Sequence, residues 1–359
     1  MPASIRNKRR IFSKLFDLLR SYVAEQIDYE LHPTLYPNTS NDADLFIENA
    51  IEITSQFDVD HKFHSIFKYG GELYYCFTND DLDLSNVNSD IFESVEGDFF
   101  DALFVLVHSQ YIKKCVDTIS RSHIYDTILY VGEDEDPNRA KPIDIEDLLE
   151  CFSTISVYKI CSGSAYDVED LDKVKGYFSV NASINTLPFS QSTQASFSTL
   201  FDCNYKAIPF DIIHLSYITN SYKQSFIELY RCIEQLFPIP ALEGLIGTGK
   251  LNALCPLEIA EIFEDNIGWR PRETEAIEAV LKDLDQSLLT RLDSVTQNTQ
   301  YYGFSHNKFI YRLRNQNVHF RKSLGVGSLS NNKWEELIGI MLDIIYELYK
   351  KYDSKIISV

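Results

Sequence analysis

The sequence lacks the long apolar runs and the cysteine patterns that define several large classes of protein. No uninterrupted apolar stretch of about eighteen residues occurs, so no segment is predicted to span a membrane. The 7 cysteines form no C-x-x-C pair, which favours reduced, mostly buried thiols over a disulfide framework. The basic start of the chain lacks the apolar core and the cleavage site of a secretory signal. We therefore expect a cytoplasmic protein.

Positive charge is also scarce. Lys and Arg number 33 against 53 Asp and Glu, so the formal net charge is -20. A protein that coats nucleic acid needs a broad positive surface, and this composition excludes that class. It does not exclude an enzyme with one local basic cleft, because concentrated positive charge still attracts phosphate. The hydrophobic content of 45% and the aromatic content of 13% predict well-packed globular cores.

Hydrophobic periodicity divides the chain into two predicted domains, which its length of 359 residues allows. Residues 1–204 mix helical and strand patterns and predict an α+β domain, which we interpret as a sensing or regulatory domain. Residues 205–359 repeat apolar positions at helical spacing and predict an all-α helical bundle. The stretch 183–204, rich in Ser, Thr, Gln and Asn, predicts a linker or a long surface loop.

The most specific secondary-structure signal in the first half is Gly70-Gly71, which predicts a β-hairpin of Phe63–Tyr69 and Glu72–Thr78. The other patterns predict helices at 5–30, after Asp44 (with Phe57 on its apolar face), at 99–116 and at 143–152, and strands at 124–131, 156–161 and 174–180. Residues 208–217 are either a last strand or the approach to the bundle. The bundle helices are predicted at 221–237, at 255–263, at 274–292, after Gly303 and from Asn331 or Asn332.

Three patterns suggest a ligand site without completing one. Gly244–Lys250 fits the first part of a P-loop, but Leu251 stands where a Ser or Thr would hold magnesium, so a loop between helices is favoured. His61 and His64 have a spacing that can serve a metal, but no cysteine or third histidine is near. The acidic run 133–136 is most simply a solvated loop, with a divalent-ion site as the alternative. We therefore predict no metal and no cofactor.

One stretch departs from the acidic character of the chain, since no Asp or Glu occurs between Asp293 and Glu335. At its centre Arg314 and His319 are separated by four residues. A guanidinium is an always-charged fork for phosphate oxygens, and an imidazole takes and gives protons near neutral pH. Cleavage of a phosphodiester requires both functions. The basic residues of the stretch are Lys308, Arg312, Arg314, Arg321 and Lys322.

The same stretch predicts a polar stripe on a bundle helix. With ~100° per residue, one helix face carries Arg312, Asn315, Gln316 and His319. Such a stripe must face a cleft or a partner. The alternative is a basic, exposed helix face whose histidine is incidental. The lack of acidic residues around the stripe favours the cleft.

This motif, in a late helix of an all-α C-terminal domain, resembles the HEPN superfamily, best known for metal-independent ribonucleases of bacterial toxin and anti-phage systems. The resemblance covers the helix order from about residue 221 to 351 as well as the motif. It implies catalytic roles for Arg314, Asn315 and His319. The residues around the motif that we expect to bind substrate are Arg312, Gln316, Arg321 and Lys322. Glu234 matches an acidic residue of ApeA-type HEPN relatives and is a candidate supporting residue; an edge carboxylate that pairs with a neighbouring base is the alternative.

The resemblance also implies an RNA substrate and a homodimer formed through the C-terminal domain. Arg314 lies ~140° round a helix and ~7.5 Å along it from His319, so two facing helices complete a site more easily than one. The implied reaction is attack of the 2′-OH of RNA on the adjacent phosphate, with His319 moving protons and Arg314 holding the developing charge. An antitoxin or a phage trigger is a partner that the family alone suggests. The competing hypothesis is a non-catalytic HEPN-like module that binds RNA, a nucleotide or a protein.

Two positions depart from a simple match to the family. Arg312 also satisfies the family's spacing to His319, so the role of the arginine could be shared. Some HEPN toxins carry a tyrosine two positions after the histidine, which a partner antitoxin modifies. Arg321 occupies that position here, so this regulation is not expected.

Overall fold

A computed structural model shows that the chain forms two compact units, Met1–Val168 and Glu169–Val359, which are described separately below. The domain boundary predicted at residue 204 stays a prediction; by contacts, the second unit begins at Glu169. The structure describes residues 15–23, 35–38, 52–59, 62–69, 71–78, 82, 84–95, 121–130, 141–144, 147–148, 151, 155–161, 170–246, 254–282, 284–318 and 329–356.

The strands described in the first unit are β1 Leu35–Asn38, β2 Glu52–Val59, β3 Lys62–Tyr69, β4 Glu72–Thr78, β5 Phe92–Ser94, β6 Lys141–Asp144 and β7 Ile155–Ile160. They form a five-stranded antiparallel sheet in the order β2-β3-β4-β7-β5 and a parallel pair of β1 and β6. Residues 15–23 are helical (α1), and α2, Arg121–Ile124, continues as a π-helical turn, Tyr125–Leu129. The predicted α+β character of this half is confirmed.

The predicted hairpin is confirmed. Tyr69 of β3 pairs with Glu72 of β4, and Gly71 in the turn has a φ of 88°, which glycine adopts without strain. His64 of β3 is fully buried; its ring stacks on Phe57 at 4.8 Å, and the Tyr75 hydroxyl lies 3.2 Å from its Nδ1. His64 is therefore part of an aromatic core, while His61 and the acidic run 133–136 lie outside the described residues.

Several local predictions for the first half were wrong. Phe57, predicted on a helix, lies in β2, and residues 124–129 form helical turns instead of a strand. The predicted helix 143–152 starts too early, because its first two residues lie in β6, which pairs with β1; the described residues 147–148 are helical, as predicted. A short apolar run is compatible with a buried strand and with a buried helix. Its secondary structure therefore depends on the elements, distant in sequence, that pack against it. The strand predicted at 156–161 is confirmed as β7, and the helix predicted at 99–116 lies outside the described residues.

The second unit is helical throughout its described residues, as predicted for the C-terminal half. Its helices are α3 Leu171–Asn181, α4 Gln191–Asp202, α5 Phe210–Ile218, α6 Tyr222–Glu234, α7 Pro238–Ile246, α8 Pro256–Ile267, α9 Glu273–Leu281, α10 Gln286–Thr296, α11 His306–Val318 and α12 Asn331–Ile356.

Two predictions at the start of this unit were wrong: the strand expected at 174–180 lies in α3, and the expected linker 183–204 contains α4. The segment 208–217 lies largely in α5, so of its two predicted interpretations the strand is wrong and the approach to the bundle remains. Asp170 caps α3 by accepting from the backbone amides of Asp172 and Lys173, each at 3.1 Å. Such a cap favours the helix over an extended conformation. The polar sequence of α4 carries a small apolar stripe that is fully buried: Phe197, Leu200 and Phe201.

Two further helices differ from the predicted boundaries. The single helix expected at 274–292 is two, α9 and α10, because Asp285 caps a new helix by accepting from the Ser287 amide at 2.7 Å. The P-loop-like pattern begins inside α7, which starts at Pro238 and runs to Ile246. Its first residues are thus the end of a helix and do not follow a strand, and residues 247–251 lie outside the described part.

The core of the second unit positions the helices that carry the candidate site. α12 packs along α6, where the rings of Trp334 and Phe226 lie 5.6 Å apart and the Tyr349 hydroxyl donates to the Cys232 carbonyl at 2.9 Å. α11 packs on α9 and contacts α6 and α10. Its fully buried side chains are Phe309, Ile310 and Leu313. The polar residues between them are therefore left at the surface or at the helix junctions.

Within the described ranges, no helix combines the length and the apolar character needed to cross a membrane.

The packing of α3 on α4 predicts an unusual response to a glycine substitution. A Cβ on Gly176 would overlap the ring of Phe201, which is fully buried. We expect Gly176→Ala to lower the free energy of unfolding, because overpacking costs about 1–3 kcal/mol and helix propensity returns only about 1 kcal/mol. Gly339→Ala in α12 is the matched control, since a Cβ there lies 3.4 Å from the Thr193 Oγ. Urea denaturation of both variants measures the difference; equal stabilisation of both would contradict the packing.

Candidate functional site

The Arg314 side chain lies where three helices of the second unit meet. Its Nε lies 3.4 Å from a carboxylate oxygen of Glu273, the first residue of α9, and its Nη2 lies 3.7 Å from a carboxylate oxygen of Glu234, the last residue of α6. Its Nη1 donates to the side-chain oxygen of Asn315 at 2.9 Å. Each nitrogen of the guanidinium thus faces an oxygen of this cluster, and the side chain keeps 19% of its exposure.

An aromatic ring completes the cluster. The guanidinium carbon of Arg314 lies 5.6 Å from the ring centroid of Tyr230, one turn before Glu234 on α6. The Tyr230 hydroxyl donates to the same Glu273 oxygen that faces Arg314, at 2.7 Å. Burial, and next the hydrogen bond to Glu273, raise the pKa of the Tyr230 hydroxyl, so it stays a donor. Ring and carboxylate together hold the guanidinium in one orientation.

The two carboxylates of the cluster have different electrostatic surroundings. Glu273 stands at the positive end of the α9 dipole, which favours its charge, while Glu234 stands at the negative end of α6, which does not. Partial burial raises the pKa of Glu234 above its usual value; Arg314 opposes this rise and Glu273 adds to it. Glu234 therefore holds a proton to higher pH than an ordinary glutamate does.

The predicted site residues do not all belong to this cluster. The structure brings Arg314, Asn315 and Glu234 together. The contact of Glu234 with Arg314 also agrees with the alternative interpretation, in which Glu234 is a carboxylate that pairs with a neighbouring base. Gln316 instead accepts from the Tyr301 hydroxyl, and the guanidinium of Arg312 lies 5.6 Å over the Phe304 ring. The structure leaves three predicted residues outside its described part: His319, Arg321 and Lys322.

Sequence reasoning missed two members of the cluster, Glu273 and Tyr230. Each looked ordinary in the sequence, one as an acidic residue early in a helix and the other as part of an apolar stripe. Their positions at the ends of α9 and α6 bring them to Arg314 through packing between helices distant in sequence. The only signal available in the sequence was the acidic Glu273 at the start of a helix, because such a carboxylate can pair with a basic residue of another helix.

No group of three His, Cys, Asp or Glu residues able to hold a metal ion occurs in the described part of the chain. Comparisons of the chain with protein-family models, with curated proteins and with solved structures found no match. Chemically, the cluster offers a fixed guanidinium, which binds oxyanions, next to a carboxylate with raised proton affinity.

The surroundings of Glu234 predict a pH dependence of stability. Its pKa in the folded chain lies above the ordinary value of 4.5, so the folded state holds this proton to higher pH than the unfolded state. Its contribution to the free energy of unfolding is then full below about pH 4.5 and is lost as pH rises through the raised pKa. We expect the stability of the wild type relative to Glu234→Gln to fall as the pH rises from below 4.5 through the raised pKa of Glu234.

Urea denaturation of both proteins across this range gives the difference, from which groups common to both cancel. A difference that rises with pH would show that the ion pair with Arg314 outweighs the burial of Glu234.

Proposed function

We propose that the second unit is a HEPN-like, metal-independent endoribonuclease that cleaves RNA by attack of the 2′-OH on the adjacent phosphate. The observation that carries the proposal is the fixed guanidinium of Arg314, held by Glu273, Tyr230 and Asn315 and placed five positions before His319 in the sequence. A preorganised cation is what the developing charge of a phosphoryl transition state requires. The role in toxicity or anti-phage defence follows from the family resemblance alone.

The contacts of Arg314 suggest how it would take a phosphate. Its Nη2 faces Glu234 at 3.7 Å, which is longer than a hydrogen bond, so a phosphate oxygen could replace this contact. Glu273 would keep its contact with Nε and hold the guanidinium plane in place. Glu234 would then lie beside the phosphate, whose negative charge would favour the protonated form of Glu234. In this proposal His319 supplies the proton transfers, and Asn315 orients Arg314.

The proposal includes a homodimer through the second unit. If the helix continued through residue 319, Arg314 and His319 would stand ~140° apart on it, so a phosphate held by one Arg314 would be more easily reached by a His319 of the second copy. Two copies would form two equivalent sites. RNA is the substrate, and the first unit would act as sensor or regulator.

One observation favours a second candidate function, a non-catalytic HEPN-like module that binds RNA, a nucleotide or a protein partner. Two carboxylates face the guanidinium of Arg314, and this is also how an arginine that only ties helices together is held. In that case Arg314 would matter for stability and not for chemistry. Cleavage and stability measured on the same variants separate the two functions.

The chemistry predicts the products and the effect of each substitution. Cleavage of total cellular RNA should leave 2′,3′-cyclic phosphate and 5′-hydroxyl ends, survive EDTA and spare DNA, which lacks the 2′-OH. His319→Ala should slow cleavage by about two to four powers of ten. Arg314→Lys should also fail, since lysine keeps the charge but loses the two-pronged grip on a phosphate.

The control for Arg314→Lys is Arg291→Lys, because Arg291 of α10 also pairs with a carboxylate, Asp343, at 2.5 Å. It should cleave like the wild type. A folded wild type that leaves RNA intact, with Arg314→Lys unstable, would support the non-catalytic module. EDTA-sensitive cleavage with 5′-phosphate ends would contradict the proposed chemistry.

The dimer makes a separate prediction. Sedimentation at micromolar concentration should give a dimer or a larger even assembly of the full chain, and the rate per chain should fall when dilution separates the copies. Full activity of a pure monomer would mean that one copy completes the site.

A further inference from the structure

At the start of α11 and in the turn before it, aromatic rings and cations occur together at the surface. We name this surface the aromatic–basic patch and define it by four residues: Tyr302, Phe304, Lys308 and Arg312. Tyr302 is 73% exposed, in the turn before α11. The Lys308 Nζ lies 4.6 Å and the Arg312 Cζ lies 5.6 Å from the ring centroid of Phe304. One ring thus positions two cations, and a second ring, two residues before it in the chain, is open to solvent.

Among the described residues no carboxylate forms an ion pair with either cation of the patch, Lys308 or Arg312, although the net charge of the chain is -20. Lys308 also stands in the first turn of α11, which has no acidic residue and where a positive charge opposes the helix dipole. Lys308 thus occupies a position that the helix dipole disfavours, and no described carboxylate pairs with it. Such locally unfavourable placements are common at functional sites.

The patch is distinct from the Arg314 cluster. Arg312 and Arg314 are two residues apart, so their side chains leave α11 ~200° apart. Lys308 and Arg312 are four residues apart and share one face. Arg314 faces two carboxylates, whereas the patch faces none in the described part of the chain. The polar stripe that the sequence predicts from Arg312 onward therefore begins one turn earlier, at Lys308.

We propose that the aromatic–basic patch binds a single-stranded stretch of RNA next to the site of cleavage. The Tyr302 ring would stack on one unpaired base, and Lys308 and Arg312, held over Phe304, would each contact a backbone phosphate. Exposed rings beside cations are how proteins hold single strands, because every unpaired base offers a face for stacking. A duplex hides those faces, and an acidic protein would use the cations but not the ring. The choice of RNA rests on the proposed function.

Binding can be measured without cleavage. The probe is an unstructured, fluorescent 2′-O-methyl RNA of about twelve nucleotides, which lacks the attacking hydroxyl, and the readout is anisotropy with the full chain. Tyr302→Ala should weaken binding roughly tenfold, while Tyr302→Phe, which keeps the ring, should bind like the wild type. Lys308→Ala and Arg312→Ala should each lower the slope of log affinity against log salt by about 0.7.

The matched control is Lys350→Ala. Lys350 of α12 lies 5.9 Å over the Tyr346 ring, but it also pairs with Glu347 at 3.6 Å. We expect its removal to leave affinity and salt slope unchanged. Circular dichroism of the Tyr302, Lys308 and Arg312 variants should match the wild type, since each side chain is at least partly exposed.

The outcomes separate this inference from the proposed function. Tight binding that depends on Tyr302, without cleavage of ordinary RNA, would support the patch and contradict the nuclease. Cleavage with unchanged affinity in Tyr302→Ala and Lys308→Ala would support the nuclease and overturn the patch. Equal affinity for a duplex or for a polyglutamate peptide would also overturn it, because neither uses a stacking ring.

Discussion

The arrangement of the second unit around the candidate site depends on the neutralisation of one guanidinium. Arg314 keeps only 19% of its exposure, and a cation so shielded from water must be matched by negative charge or by hydrogen-bond acceptors. The last residue of α6 and the first of α9 provide the carboxylates, and Tyr230 provides a ring face and a hydroxyl that orients one of them. The end of α6 and the start of α9 are thereby tied to α11.

The need to neutralise a shielded charge also explains how the two arginines of α11 differ in their surroundings. Arg314 points toward the helix junction and is compensated, while Arg312 lies over Phe304 together with Lys308. Since both belong to a stretch without any acidic residue, their difference comes from the helices around them and not from their neighbours in the chain. In the proposed nuclease the two groups have different roles. Arg314 is held in place for the reacting phosphate, and Lys308 and Arg312 contact the rest of the RNA strand.

The first unit shows which local sequence patterns predict the observed structure correctly and which do not. The Gly70-Gly71 turn predicted its hairpin correctly because a tight turn requires a positive φ, which glycine adopts without strain, as Gly71 does. Short apolar segments such as 124–129 were assigned to strands and form helical turns, because the pairing partners of a strand lie far away in the sequence. His64 resembled a metal ligand in the sequence and lies among the rings of Phe57, Tyr75 and Phe77.

The sequence by itself determined the broad division into an α+β part and a helical part, the hairpin, most helices after residue 220, and the one basic stretch of an acidic chain, because periodicity and local charge are properties of neighbouring residues. It also identified Arg314, Asn315 and Glu234, which the structure brings into contact. Only the tertiary structure decided that Glu273 and Tyr230 join them and that Arg312 turns away, since these contacts form between helix ends that are far apart in the chain. It likewise decided that residues 191–202 form a buried helix, because their few apolar side chains suffice only when other helices cover them.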